Sequence, residues 1–400
     1  MKPETAWTTS LPGIACSLLL LATEPPTAQT TQQTLPMTQP QQNKDTGQHK
    51  LSHRLRGLFV STRIKPDEQV IFFPSLAHQS RDGRYWLIDI HGWIFENTYL
   101  SEHGTRLLEK KVPGLRHLAQ EIRLHRQRFQ RRAKWFFVDN QRYKRLSILL
   151  QGKTYALEKS SANGHFHGRI KIPLTETADW PLHAGQRIEF RAVTTPGDKR
   201  RFSGWIHFIG PEGISVISDI DDTIKHSQVH DKTKLLRNTF LLPYQAVPGM
   251  ADSYRRWARQ PNTAFHYLTA SPWQLYRPLH DFLQQHGFPA GSMQMKYFRI
   301  KDRSVINLLK KSVHYKTAHI LSLIKRYPRR RFILVGDSGE QDLAIYSSIA
   351  KRFPGSIKAI YIRDTGHYAI KPPPRRRLAN HRVNGTPVIV FDTHDKPARL

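Results

Sequence analysis

Hydrophobic positions along this chain change their pattern partway through. Between about residues 60 and 204 they come in short runs bounded by turn residues: Val70-Ile71-Phe72-Phe73, Tyr85-Trp86-Leu87-Ile88-Asp89-Ile90 and Leu146-Ser147-Ile148-Leu149-Leu150. Residues 167–172 and 187–192 alternate polar and apolar side chains, the period of a strand with one buried face. Short strands spaced by turns predict an antiparallel, β-rich sandwich or barrel. One stretch breaks the pattern. Over residues 114–134, Leu115, Leu118 and Ile122 fall at helical spacing and predict a helix. Arg116, Arg123, Arg126, Arg128, Arg131, Arg132 and Lys134 crowd its remaining positions, opposed only by Glu121. Such a basic helix lies on an anionic membrane surface, contacts nucleic-acid phosphates, or is a solvated charged face.

From residue 213 the apolar runs end abruptly in oxygen-bearing side chains. Residues 213–218 run into Asp219-Ile220-Asp221-Asp222-Thr223. Alternate side chains of a strand share a face, so Asp219 and Asp221 are expected to point together at the strand's carboxyl end. Open α/β sheets carry their chemistry at that end. Residues 264–268 run into Thr269-Ala270-Ser271-Pro272, and an amphipathic segment follows over 273–286. Residues 331–335 run into Gly336-Asp337-Ser338-Gly339-Glu340-Gln341-Asp342, where the glycines are expected to let the backbone turn sharply. Ahead of that strand, Lys316 opens a helix with Ile320, Leu323 and Ile324 on one face. A lysine at a helix start opposes the macrodipole, which an anion nearby would offset. Each piece has a plainer alternative: a solvated turn for the acid pair, a helix N-cap for Ser271, a solvated side chain for Lys316.

In this order the clusters resemble the haloacid-dehalogenase superfamily of phosphohydrolases. More narrowly, Ser218-Asp219-Ile220-Asp221-Asp222-Thr223-Ile224-Lys225, Thr269-Ala270-Ser271-Pro272-Trp273, Lys316, the 336–342 segment and Ala359-Ile360-Tyr361-Ile362-Arg363-Asp364 resemble the catalytic domain of the actin-patch phosphatidate phosphatase family. The resemblance covers about residues 205–395. Gly92-Trp93-Ile94-Phe95-Glu96 and Phe202-Ser203-Gly204 look like pieces of that family's preceding β-rich domain.

The resemblance implies a HAD-like Rossmannoid parallel sheet with helices on both faces and a Mg²⁺-dependent hydrolysis of phosphate monoesters. Asp219 is then the nucleophile that forms an aspartyl-phosphate. Asp221 is the general acid and base, expected to hold a proton because its acidic neighbours, Asp222 among them, raise its pKa. Thr269 and Lys316 hold phosphoryl oxygens. Asp219, the Asp221 carbonyl, Asp337 and, through water or by orienting the others, Asp342 serve the metal. Phosphatidate at an anionic phospholipid membrane surface is the implied substrate. A phosphoprotein, a nucleic-acid end or a small phosphate ester is the first alternative, and a non-catalytic binder of anionic surfaces the second. Lys225, His226 and Ser227 fall where the superfamily folds a small flap. Only 47 residues separate Asp221 from Thr269, enough for that flap and a small helical insert near 232–242 but not for a large cap.

Lys and Arg number 62 against 31 Asp and Glu, a net charge of +31, which draws the protein to polyanions without choosing among lipid, nucleic acid and envelope polymers. An apolar core over residues 11–22 has the length of a secretory leader, so export to the periplasm or medium is expected, with a membrane-peripheral cytoplasmic protein as the alternative. The lone cysteine, Cys16, allows no internal disulfide. The expected organisation is a leader (1–22), a disordered Thr/Gln/Pro-rich linker (23–50), the β-rich domain (51–211), the phosphatase domain (212–395) and a tail (396–400). No internal repeat is visible.

Overall fold

Strict alternation decides how the first half of the chain packs. Val70 and Phe72 enter one hydrophobic core while Ile71 and Phe73 enter another, and β-strand neighbours Ile94 and Phe95 divide the same way. Both faces are therefore buried at β1 and at the end of its partner strand, whereas residues 167–172 and 187–192 alternate exposed and buried side chains and bury one face only. The computed structural model describes residues 62–97, 102–112, 114–180, 187–298, 313–367 and 381–392, all within one compact unit, His53–Leu400. The expected leader, linker, tail and basic loop 372–377 lie outside the described residues.

The first sheet has nine strands: β1 (Glu68–Phe72), β2 (Ser75–Gln79), β3 (Tyr85–Glu96), β4 (Asp139–Asn140), β5 (Ser147–Leu150), β6 (Lys153–Ala156), β7 (His165–Pro173), β8 (Arg187–Ala192) and β9 (Ser203–Ile209). They run in the order β1-β3-β2-β9-β8-β5-β6, with β4 and β7 also on β3. All pairs are antiparallel except β2 with β9. Between β3 and β4 lie α1 (Glu102–Lys111), α2 (Ala119–Leu124) and α3 (Arg126–Ala133).

The single helix expected over 114–134 is instead broken. A 3₁₀ turn at Leu115–Leu118 leads into α2, His125 leaves helical geometry, and α3 continues to a second 3₁₀ turn at Lys134–Phe136. At the break Leu124 is 80% exposed, while Leu115, Leu118, Ile122 and Phe129 enter the shared core. A straight helix drifts relative to a fixed apolar stripe, and the break re-aims Phe129 inward.

The second sheet comprises β10 (Ile214–Asp219), β11 (Thr263–Pro272), β12 (Ser292–Lys296), β13 (Arg331–Asp337), β14 (Ile357–Arg363), β15 (Arg382–Val383) and β16 (Thr386–Phe391). Its order is β12-β11-β10-β13-β14-β16-β15. Every pair is parallel except β15 with β16. The connecting helices are α4 (Lys232–Phe240), α5 (Met250–Ala258), α6 (Tyr276–Gln285), α7 (Val313–Arg326) and α8 (Asp342–Arg352). The chain leaves β10 toward β11 and β12, then returns to build β13, β14 and β16 on the other side. β10 is thus the switch point of the sheet, and its carboxyl end is where such sheets open a crevice. Ile71, Phe73, Trp93 and Phe95 of the first sheet share one core with Val216, Phe265, Trp273 and Tyr276 of the second. Phe73 packs on Trp273 at 4.1 Å between ring centroids, so Trp273 and Tyr276 are core residues. No helix among the described residues is long and apolar enough to cross a membrane.

Candidate active site

Asp219 is the last residue of β10, and four elements meet there. Its Oδ2 accepts a hydrogen bond from Thr223 Oγ1 at 3.0 Å, and its Oδ1 lies 2.9 Å from Lys316 Nζ. Lys316 reaches in from the first turn of α7, fully enclosed, and also donates to Asp342 Oδ1 and Glu340 Oε2, each at 2.7 Å. Asp337 closes β13 and Asp342 opens α8. Carboxylate oxygens of Asp219, Asp337 and Asp342 all lie within 4.8 Å of one another, and all three residues are buried. Gly336 is what lets Asp342 approach: a Cβ there would stand 2.3 Å from Asp342 Oδ2. Neither Gly336 nor Gly339 has a positive φ, so close approach, not the sharp turn expected of them, is their use.

Charge in this pocket does not balance. Lys316 pairs with Asp219, Glu340 and Asp342 at once and also acts on Asp337, so four acids lie around one buried ammonium. Burial, then the neighbouring acids, pushes the carboxyls of Asp219 and Asp337 well above the usual carboxylate range; Lys316 opposes the rise without cancelling it. Asp342 is raised as well, first by burial. Lys316 is pushed well above the usual lysine range because the surrounding acids outweigh its own burial. Asp337 Oδ1 accepts from the backbone N–H groups of Gly339 (2.7 Å) and Glu340 (3.0 Å). Its Oδ2 is buried with no hydrogen-bond partner. Buried polar oxygens ordinarily find one. An orphaned oxygen, an all-oxygen donor set and excess negative charge together fit a hard divalent cation such as Mg²⁺.

Asp221 stands apart from this cluster. It lies beyond the strand end, where Lys225 Nζ approaches its Oδ1 at 2.9 Å and Ser227 Oγ donates to the same oxygen at 2.6 Å. Thr269 Oγ1 (2.8 Å) and Ser271 Oγ (3.2 Å) donate to its Oδ2. Burial alone would raise this carboxyl, but Lys225 and the hydrogen bonds hold it down at about 2. The expectation of a protonated Asp221 is thereby corrected. Asp222 does not act on it as proposed, because its own carboxylate turns away to accept from the N–H groups of Ser227, Gln228 and Val229 at 2.7–2.8 Å. Asp222 holds a left-handed φ of 59°, which aspartate tolerates, and its carbonyl accepts from Arg363 Nη1.

All six expected residues therefore meet at the switch point, but in two groups. Asp219, Lys316, Asp337 and Asp342 form one; Asp221 and Thr269 form the other, with the Thr269 hydroxyl directed to Asp221. Ser271 is not a helix cap, since α6 begins only at Tyr276. Further residues complete the site: Lys225 and Ser227, expected only as part of a flap, and Glu340 and the buried Arg363, to which the sequence assigned no role. Lys225 was visible as the cation four residues after Asp221, a spacing that has meaning only once the intervening turn is known. Around the flap, Arg132 Nη1 donates to the Thr239 and Leu242 carbonyls at 2.8 Å, and Arg128 Nη1 to Leu241 O at 2.8 Å. Both bind the carboxyl end of α4, where its last carbonyls lack partners. The Tyr244 ring lies between Arg132 (3.8 Å) and Lys225 (4.9 Å).

Residues 214–364 match the family described as phosphatidate phosphatase APP1, catalytic domain. The phosphatidate phosphatase APP1 of Saccharomyces cerevisiae is 37% identical over 197 residues, which is 48% of this chain and 32% of that protein. An uncharacterized protein of Schizosaccharomyces pombe is 35% identical over 156 residues, 38% of this chain and 25% of its own length. The chain thus matches only about a third of these relatives. Among solved structures, a Photobacterium 2,6-sialyltransferase overlaps 56% of this chain and 37% of its own, at 11% identity and a TM-score of 0.21, too low to bear on the fold.

Proposed function

We propose, from the match of residues 214–364 to this catalytic-domain family, that the chain is a Mg²⁺-dependent phosphate monoester hydrolase that converts phosphatidate to diacylglycerol and phosphate. The observation that carries the reading is the buried quartet of acids around one lysine, with an unpartnered oxygen on Asp337. Asp219, Asp337, Asp342 and the Asp221 carbonyl would hold the ion, which when bound supplies positive charge against the phosphoryl oxygens. In this reading the parallel sheet is HAD-like, and its switch point places the nucleophile.

Asp219 Oδ attacks phosphorus, the bond to the leaving oxygen breaks, and an aspartyl-phosphate forms on the side chain. Thr223 and Lys316 fix the attacking carboxylate in place, and Lys316 offsets its charge. Asp221 serves both half-reactions. Ionised as the resting site holds it, it is ready to take a proton from the water that hydrolyses the intermediate. For the first half it must give a proton to the leaving alkoxide. An incoming phosphate that draws Lys225 away removes the cation holding that proton off, and burial then raises Asp221 toward protonation.

The substrate assignment rests on the family and on surroundings that suit an anionic lipid surface. The 47 residues between Asp221 and Thr269 supply a flap with α4 and α5 and no bulky cap. Beside α4, Leu124 projects into solvent between Arg123 and Arg126, an apolar tip in a cationic collar. Turnover of phosphatidate in vesicles, a phosphopeptide and a 5′-phosphorylated oligonucleotide, each with and without Mg²⁺, tests the assignment. The lipid is expected to be preferred, and Asp219→Asn to abolish turnover of all three. Equal rates on the three substrates would leave the chemistry standing and remove phosphatidate.

A further inference from the structure

Away from the acid cluster, a cavity of about 650 Å³ opens between the first sheet and α6. Arg187 and Arg201 line it from β8 and the approach to β9, and Arg277 and His280 from α6. Among the described residues no carboxylate lines it, and none of the candidate active site contributes to it. Arg200, also in the wall, is already committed to Asp198 and to the carbonyls of residues 64–68. Arg187, Arg201 and Arg277 make no ion pair among the described residues; Arg187 instead stacks over Trp205 at 5.0 Å. Trp205 is 43% exposed although it lies on a strand, and it lines the cavity together with the largely buried Tyr276.

Arg187 and Arg277 act on the histidines of the cavity wall, after burial. Burial, then Arg187, pushes His207 down to about 4. His280 is lowered first by burial, with Arg277 and Arg187 adding to the effect over the opposing pull of Asp281. Like charges that converge on a hollow raise the energy of the empty protein, and an anion seated among them relieves it. Volumes of about 300–1,000 Å³ are those of small-molecule sites. Guanidinium forks match phosphate oxygens two at a time, which a single carboxylate does not need three of.

The geometry points to a second, non-catalytic binding site in this cavity for a phosphate-bearing ligand, its phosphate held by Arg187, Arg277 and Arg201 and its remainder lying against Trp205 and Tyr276. The ligand is either a soluble phosphate compound or the headgroup of a phosphodiester lipid. The adjoining cleft of about 800 Å³ shares Arg277, Gln69, Val70 and Ile71 with this cavity and carries Arg131 and Lys134 on its far side. A ligand with more than one phosphate has cations waiting across β1.

The site needs no divalent ion, which separates its test from that of the phosphatase reading. Calorimetric titration of the full chain with pyrophosphate in the presence of a chelator addresses the soluble source. Sedimentation with phosphatidylglycerol vesicles, against phosphatidylcholine alone, addresses the lipid source. At least one arm is expected to show metal-independent binding. The double substitution Arg187→Gln, Arg277→Gln should weaken it about tenfold or more, leaving Mg²⁺-dependent hydrolysis of p-nitrophenyl phosphate unchanged. Arg187, Arg201 and Arg277 are all exposed; Arg201→Gln alone should weaken it less than the double substitution and retain the wild-type melting temperature. Binding of neither probe overturns the proposal, as does binding that the double substitution leaves intact. Binding of a single-stranded oligonucleotide with neither probe bound overturns it in favour of a nucleic-acid groove.

Discussion

Asp219 and Asp221 stand two residues apart, both enclosed, and their surroundings push them in opposite directions. Asp219 shares one lysine with three other acids, and its carboxyl rises well above the ordinary range. Asp221 has Lys225 and three hydroxyl donors to itself and falls to about 2. Burial is common to both and cannot be the cause of the difference. What differs is the ratio of cations to acids within reach. Pairs of titratable groups driven apart in this way mark division of labour in active sites. One half of the site is short of positive charge and receptive to a metal ion and a phosphate; the other is complete without either.

The comparison breaks most severely at Lys316. In Lys316→Met three of the four acids lose the ammonium they pair with, and removing one partner of a buried ion pair costs about 3–5 kcal/mol. Turnover is expected to fall on the order of a thousandfold, with circular dichroism and thermal melting separating loss of fold from loss of chemistry. If Mg²⁺ fully restores the melting temperature but not turnover, the role in chemistry stands by itself.

Lys225→Met addresses the other half. Without its cation, Asp221 is governed by burial and rises from about 2. The acid limb of the pH–rate profile should then move to higher pH, with a rate loss on the order of a hundredfold. An unchanged limb would show that Lys225 does not control Asp221. In the wild type this depressed carboxyl contributes stability above its unfolded value of 3.8, lost as pH falls toward about 2.

Metal removal sharpens the contrast through stability. For the raised carboxyls of Asp219, Asp337 and Asp342, the folded state binds more protons than the unfolded state at pH values above 3.8. Metal-free protein should therefore lose stability as pH climbs from there through the raised folded values. Mg²⁺ should reverse that loss, by about 2.7 kcal/mol at a hundred times its dissociation constant. The gain in melting temperature should grow with pH, and a pH-independent gain would place the ion elsewhere. Smallest is Arg132→Met, which leaves carbonyls at the end of α4 unsatisfied. It should cost about 2 kcal/mol and loosen the flap, read as faster amide exchange across residues 238–242.

Much of this was legible before any coordinates. The strands that end at Asp219, Thr269 and Asp337 announce themselves because apolar runs stop at side chains that cannot be left in a core unpaired. The helix that carries Lys316 shows its period, and the order of the clusters points to the family. The partition within the site was not legible. Whether Thr269 faces phosphate or Asp221, and whether Asp222 or Lys225 governs Asp221, depends on one tight turn at residues 221–225 that returns Lys225 onto the acid. Periodicity does not report such a return. Arg128 and Arg132 read as part of a solvent-facing basic stripe, yet they satisfy the end of a helix more than a hundred residues away. Gly336 is expected from the sequence to let the chain turn sharply and instead makes space for Asp342, a difference set by a contact across two elements. The apolar run Val70-Ile71-Phe72-Phe73 predicts a strand, but only packing shows that one of its faces meets the core of the parallel sheet.

The account turns on Asp219 as the residue that takes the phosphoryl group. Rapid quenching during turnover, followed by borohydride reduction and peptide mass spectrometry, reads this directly, because an aspartyl-phosphate is reduced to homoserine. The expected result is homoserine at position 219, present only with substrate. Homoserine at another aspartate, or steady turnover with unmodified Asp219 throughout, would contradict it.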